Sequence, residues 1–140
     1  MFLRTLALTS ALTLACALGA RAEVVTYHAT LTAAAEVPPT NSTGSGSATA
    51  VLDTATHKLT VDLTFGGFSS DVTAAHIHGP AAAGANAGVI APLGNAPKSP
   101  LHVVVTLTPD QEKELASGMT YENIHSKNHP GGAVRGQLTK

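Results

Sequence analysis

Residues 58 to 65, Lys-Leu-Thr-Val-Asp-Leu-Thr-Phe, alternate apolar and polar without a break, so Leu59, Val61, Leu63 and Phe65 fall on one face. A period of two is the signature of a half-buried strand and cannot be satisfied by a helix. The rest of the chain follows suit. Glu23–Leu31 alternates loosely, and Ser47–Asp53 runs into Thr56-His57-Lys58 to form a hairpin with the first stretch. Val72–His78, Leu101–Thr108 and Ala133–Thr139 read as further strands, and the triple valine 103–105 predicts burial on both faces. Turn-rich pieces separate them: 36–47, 65–71, 79–88 and His129-Pro130-Gly131-Gly132.

One segment breaks the pattern. Thr108 is placed as an N-cap, Pro109 at the first helical position, Gln111 closes a capping box, Asp110 and Glu112 stand in the first turn, and Gly118 ends the segment. This predicts a short helix over 109–117. Two helical turns among seven or eight short strands point to an all-β fold, an antiparallel β-sandwich or Greek-key barrel.

Residues 1–22 are expected to lie outside that fold. Arg4, an apolar run from Leu6 to Ala20 and Ala20-Arg21-Ala22 form a secretory signal, with cleavage expected after Ala22. Lipidation of Cys16 is the competing reading, disfavoured by the sequence before it. The apolar run is too short to span a membrane. Removing Arg4 and Arg21 leaves six basic against nine acidic residues, a net charge of −3 for 23–140 with histidines neutral. No basic stripe remains to meet phosphates, which argues against a nucleic-acid partner. The only cysteine leaves with the signal, so an exported, periplasmic or secreted, single domain must hold its core without disulfides.

The chemistry lies in the histidines. All seven fall after residue 22, and four sit in two similar corners: Ala75-His76-Ile77-His78-Gly79 and Glu122-Asn123-Ile124-His125-Ser126, with His129 beyond the second. In a strand His76 and His78 share a face while Ile77 points inward. His125 would end a second strand, with His129 folding back across a short turn. Three or four neutral imidazoles suit Cu(II) or Zn(II), and in an oxidising compartment the Irving–Williams order favours Cu(II). Cu(I) would ask for sulfur, of which 23–140 offers only Met119. The competing reading has these rings hydrogen-bonding loop backbone at strand ends. His28, His57 and His102 read as structural, Asp53, Asp62 and Asp71 as a solvated face, and Asn123 as a residue that bonds a loop or orients a histidine. No cysteine nucleophile, Gly-x-Ser-x-Gly elbow or phosphate loop is present.

Ala74–Leu93 with its His-Ile-His-Gly-Pro run, Tyr121–Leu138 with Asn-Ile-His and Arg-Gly-Gln, and Glu36-Val37-Pro38-Pro39 before a Gly/Ser-rich turn together resemble the CHRD domain family over about residues 24–139. The resemblance implies a β-sandwich in an exported protein. It also exposes a departure. The family pattern Gly-Glu-Ile-Arg-Gly-Gln is Gly132-Ala133-Val134-Arg135-Gly136-Gln137 here, which removes the carboxylate expected near Arg135. The outline is similar, as an analogy, to that of copper/zinc superoxide dismutases, which also carry His-x-His on a Greek-key strand. Three functions stay open: copper sequestration or delivery, a metal-free module recognising a protein or matrix surface, and, ranked last, a superoxide dismutase-like enzyme with Arg135 beside its metal. Oligomeric state and protein partner are left open.

Overall fold

The computed structural model describes residues 21–140, so Cys16 and all of the expected signal segment but Arg21 and Ala22 lie outside the described residues. Eight strands form two four-stranded antiparallel sheets. The first sheet has the order β1-β2-β3-β6: Val24–Leu31, Ser45–Asp53, Lys58–Gly66 and Leu101–Thr106. The second has the order β5-β4-β7-β8: Val89–Asn95, Val72–His78, Tyr121–Ser126 and His129–Gln137. The chain is therefore an all-β sandwich, and α1, Pro109–Ala116, carries the predicted capping box between Thr108 and Gln111.

Alternation sets the core as expected. Leu59, Val61 and Leu63 of β3 face Ala75, Ile77, Ile124 and Val134 across the sandwich, with Tyr27, Leu31 and Leu138 filling the rest. One seam is sealed. His28 and Thr139 exchange backbone hydrogen bonds of 2.7 and 3.0 Å, as do Thr32 and Arg135 at 2.9 and 3.0 Å, which ties β1 to β8. Gly136 permits that approach, because a Cβ there would run into the Thr30 carbonyl oxygen.

Two expectations need correction, and one strand was unmarked in the sequence. The Val103–Val105 run is not buried on both faces: β6 is an edge strand with an alternating pattern, and Val104 is 50% exposed. His-Pro-Gly-Gly is not a turn but the start of β8, the turn having moved back to Lys127-Asn128. Pro130 is tolerated there because β8 is an edge strand, where a missing N–H costs no ladder bond. Finally, 89–95 forms a strand that Pro92 and Gly94 hide from a periodicity reading; it too is an edge strand.

Glu122 is the anomaly. Alternation on β7 points it inward with Ile124, and it is fully buried with neither carboxylate oxygen hydrogen-bonded among the described residues. Desolvation raises its pKa to about 8. Below the ordinary carboxylate range both folded and unfolded chains are protonated, and the group costs nothing on this account. As pH rises from there towards 8 the unfolded chain ionises first, so stability drains by up to about 1.4 kcal/mol per pH unit. Urea denaturation at pH 5 and pH 8 should therefore show Glu122→Gln losing less stability between the two than the wild type; identical losses would contradict the assignment.

Candidate metal centre

The site is built by the pairing of β4 with β7. His76 stands opposite Asn123, Ala74 opposite His125 and His78 opposite Tyr121. Because Ala75, Ile77 and Ile124 point into the core, all of these alternate residues share the outer face of the second sheet. The repeat between the two corners thus acquires a geometric meaning: a local twofold through the His76–Asn123 pair places His78 and His125 diagonally on either side of it.

On that face three imidazoles converge. His76 Nδ1 and His125 Nε2 lie 3.0 Å apart, and one ring nitrogen from each of His76, His78 and His125 lies within 4.8 Å of the others. His125 Nδ1 donates to the Pro130 carbonyl at 2.9 Å, which leaves Nε2 as the lone-pair nitrogen and makes His76 Nδ1–H its donor. His78 is buried, with Nδ1 3.0 Å from the Ala87 carbonyl and Nε2 2.9 Å from Asn123 Oδ1. Both its nitrogens thus face oxygen acceptors, a setting that only an imidazolium satisfies. Yet desolvation, the largest cause, outweighs those two hydrogen bonds and, with the smaller push of His125 and Arg135, lowers its pKa; burial and the two other histidines lower that of His76.

Behind the triad lies a layer of which the sequence marked Arg135, in its Arg-Gly-Gln run, but not Tyr121. Tyr121 stacks on His78 with centroids 4.8 Å apart and planes within 2°, and the Arg135 guanidinium lies 3.4 Å from the Tyr121 ring centre. Arg135 itself is 1% exposed and donates to Asn86 Oδ1, the Ala82 carbonyl and Gln137 Oε1. Gln137 donates onward to the carbonyls of Ala81 and Gly118. These bonds clip the 79–88 loop over the sheet as a roof, and Asn86 Nδ2 ties it to the Val37 carbonyl at 2.7 Å.

An acidic side chain does lie near Arg135, on another element. Glu36 is buried beside Gly132, hydrogen-bonds Asn123, and feels the Arg135 charge; burial nonetheless dominates and raises its pKa. A cavity of about 420 Å³ opens over Glu36 and Arg135 but touches none of the three histidines. The only hint of Glu36 in the sequence was its place in Glu-Val-Pro-Pro; nothing marked it as a partner of residues a hundred positions away.

The other histidines are placed apart. His129 is outside the triad: its Nε2 meets Asn41 Oδ1 at 2.9 Å and its Nδ1 lies 3.5 Å from Ser126 Oγ. Folding back across a turn would have needed the turn to follow His129, whereas it precedes it. His57 bonds Glu112 on α1 at 2.8 Å, His102 bonds Asp62 at 2.6 Å, and His28 meets Thr49 at 3.3 Å. Asp53 caps its own hairpin turn through Ala55 and Thr56, and Asp71 pairs with Lys127 at 2.8 Å.

A family model described as the CHRD domain matches residues 27–138. Comparison with curated proteins and with solved structures finds no match.

Tyr121 carries both His78 and Arg135, so Tyr121→Ala should cost about 3–5 kcal/mol in chemical denaturation. Tyr121→Phe, losing only bonds of 3.2 and 3.3 Å at the hydroxyl, should cost about 1 kcal/mol. Equal effects would show that the ring stack contributes little.

Proposed function

The chain belongs to the CHRD domain family, and we propose that its role is to bind a transition-metal ion, Cu(II) ahead of Zn(II), through His76, His78 and His125, in an exported protein that sequesters or delivers copper. The convergence of three imidazole nitrogens on one sheet face carries this reading. In a tetrahedral site with metal–nitrogen bonds of ~2.0–2.1 Å, ligand nitrogens sit about 3.3 Å apart. The 3.0 Å between His76 and His125 is already close to that.

The chemistry of the donors fits a cation as well. Both His78 nitrogens face oxygens while burial disfavours the doubly protonated ring. With Nδ1–H kept on the Ala87 carbonyl, the Nε2 lone pair is better matched by a cation than by Asn123 Oδ1. His125 is held in the same way by Pro130, and such backbone acceptors fix the tautomer and aim of a metal-ligating imidazole. His76 would give up its Nδ1 proton to present a lone pair there. The set is all nitrogen, with no thiolate, which suits Cu(II) and Zn(II); the Irving–Williams order ranks copper first.

Arg135 is engaged by Tyr121 and the roof rather than standing free to guide an anion. That favours sequestration or delivery over superoxide chemistry.

Titration calorimetry with Cu(II) on tag-free protein should give one tight site. His78→Ala and His125→Ala should each weaken it at least ~10–100-fold, whereas His129→Ala and His57→Ala should leave it unchanged. Coordination requires neutral imidazole, and the folded pKa values of His76 and His78 are lowered. At those two ligands proton competition is displaced below the ~6.5 of free histidine, and affinity should fall as the pH drops beneath that value. Electron paramagnetic resonance should show nitrogen hyperfine structure from imidazole. Unaltered Cu(II) affinity in His78→Ala would remove the site.

A further inference from the structure

The sandwich has two seams, and they are treated differently. At one, β1 and β8 exchange reciprocal backbone hydrogen bonds. At the other lie β5 and β6, and neither edge is paired across it: among the described residues β6 pairs with β3 alone and β5 with β4 alone.

The two open edges are unlike. β5 carries Pro92, Gly94 at φ 157° and register shifts against β4, all of which spoil it as a template. β6, Leu-His-Val-Val-Val-Thr, has no proline, glycine, lysine or carboxylate, and its register against β3 is unbroken. Of the three large apolar residues that stand exposed among the described residues, Val89 and Val104 flank this seam. The inward-facing Leu101, Val103 and Val105 are only partly buried.

Which backbone groups are free follows from the ladder. Leu107 N–H bonds the His57 carbonyl, so residues 101, 103 and 105 direct their N–H and C=O groups at β3. His102, Val104 and Thr106 direct theirs outward. This set is self-complementary. Two copies of β6 laid antiparallel about a twofold at Val104 bring Val104 opposite Val104 of the partner subunit and His102 opposite Thr106 of the partner subunit. In each such pair the outward groups meet, and each closes two hydrogen bonds. The same operation sets Val103 against Val105 of the partner subunit on the inner side, covering apolar surface that the open seam leaves wet. The strand has no formal charge, so nothing repels its copy.

We propose that β6 is a homodimerisation edge: two copies of this chain pair Leu101–Thr106 antiparallel about Val104, fusing their first sheets into one eight-stranded sheet. The contact is small beside a standard interface, so the dimer forms reversibly with concentration. It leaves the histidine triad, on the outer face of the other sheet, open in both subunits.

Sedimentation velocity on the full domain over roughly 10–1,000 µM, in chelator so that no metal bridges copies, should show a monomer–dimer equilibrium. Val104→Pro removes an N–H that β3 does not use, and Val104→Lys adds a charge on an exposed position; each should give monomer throughout while melting as the wild type does. Amide exchange should slow at His102, Val104 and Thr106 on concentration in the wild type only. A wild type that stays monomeric overturns the proposal, as does a dimer that survives both variants. So does protection of these amides only when an unrelated extended peptide is added, which would assign the edge to a heterologous partner.

Discussion

The register between β4 and β7 is the constraint on which the rest depends. Opposing His76 to Asn123 puts His76, His78, Tyr121, Asn123 and His125 on one face and Ala75, Ile77, Glu122 and Ile124 on the other. Side chains alternate with a period of two, so a one-residue slip of β4 would drive His76 and His78 into the core and expose Ile77, and a slip of β7 would do the same to His125 and Ile124. The apolar set therefore enforces the position of the polar one. Core burial at Ile77 and Ile124, each at most 1% exposed, is what keeps the triad assembled.

A polar face that is also buried has to be satisfied by something, and here the roof does it. Arg135 has a charge that would be costly to hide alone, and it is met by two side-chain oxygens, one carbonyl and the Tyr121 ring. Glu36 reaches the same layer from the segment after β1, and Gly132 leaves room for it: a Cβ there would come within 2.5 Å of Glu36 Oε1. An acidic side chain thus lies within reach of the Arg135 charge, carried by a different element from the one that holds Arg135. The roof also limits motion, because loop 79–88 is held at Ala81, Ala82, Asn86 and Ala87 by side chains of the sheet.

What could be read in the residues was whatever local periodicity or local chemistry determines. The alternation of 58–65, the cap frame of α1 and the shared face of His76 and His78 all depend on neighbours within a few positions. Ile77 lies in the core as strand geometry requires. His129 shows the limit: closeness in sequence to His125 suggested closeness in space, but the turn falls at Lys127-Asn128 and starts β8 at His129, whose ring goes to Asn41. The valine run misled for a related reason. Apolar content cannot tell a central strand from an edge strand, because sheet order is decided by long-range pairing. Tyr121 was unmarked, and Glu36 and Gln137 stood in motifs that did not tell their contacts, because those contacts reach residues distant in the chain; Glu122 was missed because nothing in Tyr-Glu-Asn-Ile-His marks its carboxyl as inward-facing except the phase set by its neighbours.

That phase makes β7 the most demanding strand of the fold. Outward it supplies Tyr121, Asn123 and His125 to the site; inward it buries Ile124 together with an unpaired glutamic acid. The strand is buried on both faces yet polar on much of its length, so hydrophobic burial alone does not hold it in place. Its position comes from ladders on both sides, to β4 and to β8, and from the outer hydrogen bonds that its side chains make. The three-histidine cluster that β7 shares with β4 is stiff: its side chains sit on paired backbone, and His78 and His125 are each anchored at one ring nitrogen by a carbonyl. Stiffness of that kind places the ligand-ordering entropy in folding rather than in binding, which favours a centre that holds an ion over one that must rearrange around it.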